Sequence, residues 1–140
     1  NRLMNETAAA LTSKNTVRFV TAEFACGNIN RKEGGAVMID LRADTLFDKM
    51  NRGIKTDYKH IKGSVNFPFS KGAAEFEKTY PDKKRPYLFI SRNGNEGIEL
   101  ADQLSKNGYQ VFWLIGGIPR YDWYTINMET FMCKDQLLTN

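Results

Sequence analysis

The chain has 140 residues, of which 41% are hydrophobic and 26% charged, and its formal net charge is +4. These values are typical of one globular domain and exclude a disordered chain. No apolar run approaches the ~18 residues of a membrane span, so no transmembrane segment is predicted. The positive charge is scattered, as in Lys83-Lys84-Arg85, and no recognised motif accompanies it. We therefore expect no nucleic-acid binding.

The polar residues 1–16 are predicted to form a tail or a short helix outside the core. A short strand is expected at 17–20. Thr21 is a suitable N-cap for a helix that runs from about residue 22 to residue 27 or slightly beyond. The cysteine in that helix, Cys26, and the second one, Cys133, show no Cys-x-x-Cys or Cys/His metal spacing, so no metal site is predicted.

Two interpretations of the cysteines stay open. Two unpaired thiols are the simpler one, because free cysteine is often buried. The alternative is a disulfide that ties the carboxyl tail to the first helix in an exported protein. Neither interpretation makes the cysteines catalytic. No signal peptide is visible, but the sequence starts at Asn1 and leaves the compartment open, bacterial-type cytoplasmic or exported.

The clearest buried strand is predicted at 36–40, and Arg42 follows it at the carboxyl edge of the sheet. Asp40 and Arg42 could bind a substrate there, but such a pair more often supports loops through hydrogen bonds. A helix is expected at 43–50, with an irregular, charged surface loop at 51–59.

His60 is predicted to lie in a turn that leads into a short strand ended by Pro68. A histidine in such a turn is more often structural than catalytic, so we interpret it as loop support. Ser70 is the expected cap of the next helix, which Pro81 closes.

The centre of the chain reads as strand, loop and helix. The apolar run 87–90 fits a strand buried on both faces, and Ile98, Ala101 and Leu104 fall at helical spacing. The polar loop between them is a natural anion cradle, because such a turn directs several backbone N–H groups to one point. Its residues are Ser91, Arg92, Asn93, Gly94, Asn95, Glu96 and Gly97.

A loop of this kind can catalyse a reaction when its first residue is an activated nucleophile. That residue is Ser91, and a serine hydroxyl needs an adjacent base. The single histidine, His60, is distant in sequence, and the only base in the loop is Glu96. The sequence thus predicts a cradle without a nucleophile. We expect the loop to curl above Ser91, with the Glu96 carboxylate pointing to solvent because its burial without a partner is costly.

After that helix, Gly108 is a typical C′ glycine, a strand is expected at 109–114, and a final helix at 119–124 follows the paired glycines 116–117. Alternating strands and helices predict an α/β domain at 17–126 with a mainly parallel sheet and helices on both faces. Residues 127–140 are interpreted as a carboxyl-terminal extension.

Four stretches together resemble the rhodanese homology domain over about residues 17–123. They are Asp40-Leu41-Arg42, the run 60–68 that begins with His60, the loop at Ser91, and Leu114-Ile115-Gly116-Gly117 followed by Tyr121. The resemblance implies a five-stranded parallel sheet between helices and the transfer of sulfane sulfur through a cysteine persulfide. It places Ser91, after the central strand, at the position of the persulfide cysteine and Gly94 at the loop glycine.

The sequence also departs from this family. Glu96 stands where active members commonly have arginine, and Gly97 where they often have serine. Tyr121 stands near the family's usual tryptophan, and 51–59 lengthens the preceding loop. Several changes around Ser91 favour natural loss of the chemistry over one engineered substitution.

Three function classes follow. The first is a rhodanese-like module without sulfurtransferase activity, which binds another protein or a fused domain and at most a weak small anion. The second is a sulfurtransferase seen as a cysteine-to-serine variant. The third is phosphatase-like hydrolysis, which needs a cysteine and an arginine that closes a longer loop, and this loop has neither. No cofactor is expected for any of them.

Overall fold

Strands and helices alternate along the chain. The computed structural model describes residues 16–29, 35–43, 59–61, 63–119 and 137–139. Among these residues, no helix is long and apolar enough to cross a membrane. The elements are β1 (Arg18–Val20), α1 (Ala22–Ile29), β2 (Val37–Asp40), β3 (Lys59–Ile61), β4 (Val65–Asn66), a 3₁₀ turn (Phe69–Lys71), α2 (Gly72–Thr79), β5 (Pro86–Ile90), α3 (Ile98–Lys106), β6 (Gln110–Leu114) and β7 (Leu137–Thr139).

Five of the described strands form one sheet in the order β1-β6-β5-β2-β4. Every neighbouring pair in it is parallel, and β5 lies in the middle. The predicted five-stranded parallel sheet of the α/β class is therefore confirmed. A separate antiparallel pair, β3 with β7, aligns His60 with Leu138. The sequence analysis predicted no strand at 137–139.

The sheet is covered on both faces, and the side chains of β5 alternate between them. Tyr87 and Phe89 belong to the core cluster beneath α2 and α3, whereas Leu88 and Ile90 belong to the cluster beneath α1. All four side chains are at most 2% exposed. Burial of an apolar side chain of this size stabilises the fold by about 1.5–3 kcal/mol. This two-sided burial explains why the strand is apolar at every position rather than at alternate ones.

An aromatic cluster, centred on Phe76 of α2, fills the larger core. The ring of Phe76 lies 5.0 to 5.6 Å from five others, mostly in edge-to-face geometry, as aromatic pairs prefer. The five partners are Phe67, Tyr80, Tyr87, Phe89 and Tyr109. The tyrosine hydroxyls reach backbone acceptors: Tyr109 Oη donates to the Tyr80 carbonyl at 2.6 Å, and Tyr87 Oη to the Asp82 carbonyl at 2.8 Å.

Three local predictions need correction. Ser70 does not cap a helix: it lies within the 3₁₀ turn, and α2 follows that turn directly, with Lys71 as its N-cap residue and Gly72 as its first residue. His60 lies in strand β3 rather than in a turn, because β7 supplies a pairing partner. Cys26 is disulfide-bonded, so the unpaired-thiol interpretation is wrong for it.

Other expectations fall outside the described residues. They are nearly all of the helix at 43–50, nearly all of the loop at 51–59 and most of the helix at 119–124. The domain limits, 17 and 126, stay predictions.

Candidate functional site

Ser91 directly follows the central strand β5 and is completely buried. The N–H of Gly94 donates to its Oγ at 2.6 Å, and the N–H of Ile118 donates to its backbone oxygen at 3.1 Å. Both oxygen atoms of the residue thereby accept hydrogen bonds from backbone amides. The loop thus curls back over Ser91 at the carboxyl edge of the sheet.

Asn93 occupies two further amides of the loop. Its Oδ1 accepts hydrogen bonds from the N–H of Asn95 at 2.9 Å and of Glu96 at 3.0 Å. Together with the bond from Gly94 to Ser91, three successive N–H groups bind side-chain oxygens of the loop itself. An anion that uses these amides would have to displace those oxygens. Anion binding by the loop stays a prediction.

Glycines let the turn after β6 pack directly on this loop. A Cβ at Gly117 would lie 2.4 Å from the Ser91 carbonyl oxygen and 2.8 Å from the Gly94 nitrogen, and φ of Gly117 is +60°. A Cβ at Gly94, where φ is +94°, would lie 2.9 Å from Cα of Gly116. Trp113 of β6 adds a bond from its indole Nε1 to the Gly94 carbonyl at 2.8 Å. The neighbouring strand and its turn therefore fix the shape of the loop.

A cleft of about 290 Å³ opens beside the loop. Most of its wall is apolar, and Arg92 and Glu96 bring opposite charges to it from the loop. Glu96 is partly exposed. The expectation that its carboxylate points away from the loop to solvent stays a prediction. The lining residues are Leu41, Arg42, Ala43, Pro68, Phe69, Ser70, Arg92 and Glu96.

Asp40 and Arg42 form a buried ion pair at the end of β2. Arg42 Nη2 lies 2.8 Å from Asp40 Oδ2, and its Nε donates to Oδ1 at 3.0 Å. Asn66 Nδ2 donates to the backbone oxygens of Asp40 at 3.1 Å and Arg42 at 2.9 Å. Breaking a buried pair on one side is costly, because it leaves an uncompensated charge. The two residues thus fix the corner that forms one wall of the cleft.

His60 is not brought to this cleft. It is a buried residue of β3, in the two-stranded sheet, and is not among the residues that line the cleft. Within the part of the chain that the structure describes, no group of three or more histidine, cysteine or acidic residues could hold a metal ion.

Sequence reasoning missed the capping role of Asn93 and the contributions of Asn66, Trp113 and Gly117. The role of Asn93 could have been predicted from the sequence, since an asparagine side chain often accepts hydrogen bonds from backbone N–H groups two or three residues ahead. The hydrogen bond from Trp113 to Gly94 could not have been predicted from a local pattern, because the two residues lie 19 positions apart in sequence.

Comparison with known protein families agrees with this architecture, in which a buried residue after the central strand of a parallel sheet begins a loop closed by glycines. The model of the rhodanese-like domain matches residues 28–122. The chain belongs to the rhodanese-like domain family. No curated protein sequence matches it significantly.

Solved structures of other proteins also resemble this rhodanese-like domain. A rhodanese-like domain protein from Staphylococcus aureus matches with a TM-score of 0.60 at 13% identity, over 75% of this chain and 91% of that one. A rhodanese-related protein from Thermoplasma volcanium matches with a TM-score of 0.57 at 22% identity, over 75% and 90%. Reduced CoADR-RHD from Bacillus anthracis matches with a TM-score of 0.60 at 19% identity, over 87% of this chain but 18% of that one. At such identities the likeness concerns the fold.

Proposed function

We propose that this rhodanese-like domain lacks sulfurtransferase activity and serves as a binding or regulatory module. The observation that carries the proposal is the place of Ser91, which follows the central strand with its hydroxyl bound to the Gly94 N–H. The family resemblance assigns this position to the persulfide cysteine. Sulfane sulfur transfer requires a thiolate that forms and then gives up an S–S bond, and a serine oxygen does not carry sulfur in this way.

The hydrogen bonds of the loop support the same proposal. A persulfide or an anionic donor needs amides directed at it, yet the N–H groups of Asn95 and Glu96 bind the Asn93 side chain. Glu96 also brings a carboxylate to the cleft, which repels an anionic sulfur donor. The loop has thus departed from the chemistry at more than one residue.

The cleft supports a protein partner or a fused domain as the ligand. It combines apolar walls, including the 37% exposed Phe69, with the charges of Arg92 and Glu96. Aromatic residues and arginine are enriched in protein interfaces. The Bacillus anthracis match adds a precedent, because it covers only 18% of a longer chain.

The second candidate function is sulfurtransferase activity in a protein where serine has replaced a cysteine. The intact scaffold favours it, since Gly94, Gly117 and Trp113 still hold the loop around residue 91. Under this alternative, restoring the thiol would be sufficient for activity.

Thiosulfate-to-cyanide sulfur transfer, measured on the wild-type domain and on Ser91→Ala and Ser91→Cys variants, tests the proposal. We expect wild type and Ser91→Ala to give the same background rate, and transfer by wild type above Ser91→Ala would contradict the proposal. Ser91→Cys distinguishes the two candidates. Turnover by that variant would favour a recently replaced cysteine, whereas background activity would point to a remodelled loop.

Adding Asn93→Ala to Ser91→Cys sharpens the result. If the Asn93 oxygen occupies amides that a persulfide needs, the double variant should accumulate more cyanolysable sulfur than Ser91→Cys alone. Equal accumulation would show that Asn93 is not the obstacle.

A further inference from the structure

The dipeptide asparagine-glycine occurs twice in the chain, at 93–94 in the loop after β5 and at 107–108 after α3. Asparagine is a thermolabile residue, because the next backbone nitrogen can attack its side-chain carbonyl carbon and expel ammonia. A following glycine leaves that nitrogen unshielded, since glycine has no Cβ. The two sites therefore share one reactive sequence, and their surroundings decide which of them reacts.

Asn93 is exposed on the loop, and its side-chain oxygen is bound by two amides. Its Oδ1 accepts hydrogen bonds from the N–H of Asn95 at 2.9 Å and of Glu96 at 3.0 Å. Attack on the side-chain carbon places negative charge on this oxygen, and backbone donors at about 2.7–3.1 Å stabilise such a charge. The attacking nitrogen belongs to Gly94, whose N–H donates to Ser91 Oγ at 2.6 Å. The loop thus presents an oxyanion hole to its own asparagine.

Asn107 is held in a different way. Its Nδ2, the atom that would leave as ammonia, donates to Glu77 Oε2 at 2.9 Å. Its Oδ1 accepts from the flexible side chain of Gln103 at 3.1 Å, and the N–H of Gly108 donates to the Ser105 carbonyl at 3.1 Å. The Glu77 carboxylate also opposes negative charge on the neighbouring amide. These contacts anchor the leaving group and predict a protected site.

We propose that Asn93 is a site of self-modification. In the folded domain it cyclises onto the Gly94 nitrogen and is hydrolysed to aspartate or isoaspartate, whereas Asn107 is protected by its contacts. The reaction consumes water and uses the hydrogen bonds of the loop rather than any ligand. The inference is therefore independent of the proposed function.

Solvent supplies everything that the reaction needs. Hydroxide removes the proton of the Gly94 N–H, and the Ser91 hydroxyl can then turn to donate to the nitrogen, since a hydroxyl is both acceptor and donor. The nitrogen attacks Asn93 Cγ, an N–C bond forms, and the carbonyl electron pair moves to Oδ1. The return of this pair breaks the bond from Cγ to Nδ2, and ammonia leaves with a proton from water. One water then opens the succinimide: breaking the new N–C bond gives aspartate, and breaking the backbone C–N bond gives isoaspartate.

Both products change the loop. An aspartate keeps the acceptor of the Asn95 and Glu96 amides and makes these hydrogen bonds charge-assisted. It also adds negative charge to a loop that already carries the Glu96 carboxylate, which strengthens the repulsion of anions. An isoaspartate lengthens the backbone directly before Gly94, the residue whose carbonyl accepts the bond from Trp113. The age of the protein would thereby alter the loop beside the cleft.

Peptide mapping by mass spectrometry tests the proposal on the full chain, incubated at neutral pH in isotopically labelled water. One sample is folded and a second is unfolded in guanidinium chloride. Each converted asparagine takes up one heavy oxygen, so reaction during the incubation is separated from earlier conversion. In the unfolded chain both sites should react at similar rates. In the folded domain Asn93 should keep at least its unfolded rate and should react roughly tenfold faster than Asn107.

The oxyanion hole has its own test. Asn95→Pro removes one of the two N–H donors, and Asn95→Ala, the matched control, keeps it. Conversion of Asn93 should be slower in the proline variant than in the alanine variant, and slow conversion of Asn107 in the same samples shows that the fold survives. If the proline variant unfolds, the wild-type comparison still decides. Equal Asn93 rates in the two folded variants, or an Asn93 rate in the folded wild type no higher than that of Asn107, would each overturn the proposal.

Discussion

The loop 91–97 and the aromatic cluster are both densely packed, but they are held by different atoms. The loop is held by backbone groups, side-chain oxygens and close approaches that only glycine allows, as at Gly117. The cluster is held by Phe76 and the five rings around it. A site whose shape comes from its backbone can lose a reactive side chain and keep its form. This contrast explains how the loop of this rhodanese-like domain can keep its shape with a serine at residue 91.

Replacing Phe76 by alanine should break the cluster and leave the loop intact. The side chain is fully buried, and its loss should lower the free energy of unfolding by about 4 kcal/mol through lost burial and a residual cavity. Denaturant unfolding measures this. Phe24→Ala, at a ring that is 39% exposed, is the matched control and should cost under ~1.5 kcal/mol. Equal losses would argue against a cluster centred on Phe76.

Gly117→Ala should produce the opposite pattern, a damaged loop above an intact cluster. The new Cβ would approach the Ser91 carbonyl oxygen to 2.4 Å, so the turn and the loop must separate at a cost of about 3 kcal/mol. Gly108→Ala is the control, since its φ is also positive, at +96°, but the nearest atom to the added Cβ is Lys83 Cδ at an ordinary 3.7 Å. It should cost about 1 kcal/mol, and similar melting temperatures for both variants would contradict the close approach.

The cluster should also respond to alkaline pH. Burial, together with the nearby Glu77 carboxylate, raises the pKa of Tyr109 to about 12 from its ordinary value of 10.0. Because the folded state binds this proton more tightly than the unfolded chain does, the stabilisation is present below pH ~10 and is lost as the pH rises towards ~12. Unfolding experiments across this range should show a falling free energy.

Tyr109→Phe should reduce that slope and cost about 1.5 kcal/mol at pH 7, since it removes the bond to the Tyr80 carbonyl. Some slope should survive, because burial also raises the pKa values of Tyr80 and Tyr87. A variant with the full wild-type slope would exclude Tyr109 as its main source.

Asn93→Ala should have the smallest effect. It removes the acceptor of the Asn95 and Glu96 amides, but Asn93 is exposed and water can replace it, so the cost should be roughly 0.5–1 kcal/mol. The same change should strengthen the response of the loop amides to sulfate, followed as NMR shifts of residues 92–97. An identical response in wild type and variant would contradict the idea that Asn93 competes with an anion.

Much of the fold could be predicted from the sequence because the local hydrophobic pattern of each element agrees with its place in the folded domain. The apolar runs before Leu41 and Ser91 became buried parallel strands, and the helical spacing of Ile98, Ala101 and Leu104 became α3. In each case the residues carry the pattern of the environment that they occupy. The place of Ser91 followed from the resemblance together with these elements.

The errors arose where long-range contacts decide. The strand at His60 depends on β7, which lies far away in sequence, and nothing local indicates that pairing. The disulfide state of Cys26 likewise depends on distance in the fold, which the spacing of two cysteines does not give. At Ser70, the capping signal was present, but a 3₁₀ turn precedes the helix and places Lys71 at the N-cap position instead.

The bond from the Trp113 indole to the Gly94 carbonyl gives the domain a built-in spectroscopic signal. The chain has two tryptophans, so the indole N–H region of a proton spectrum holds only two resonances to assign. The Trp113 resonance comes from a proton that bonds the loop itself, although the ring belongs to the core. A ligand or partner that moves Gly94 would shift this resonance, so binding at the loop could be screened on the unmodified protein without a known substrate.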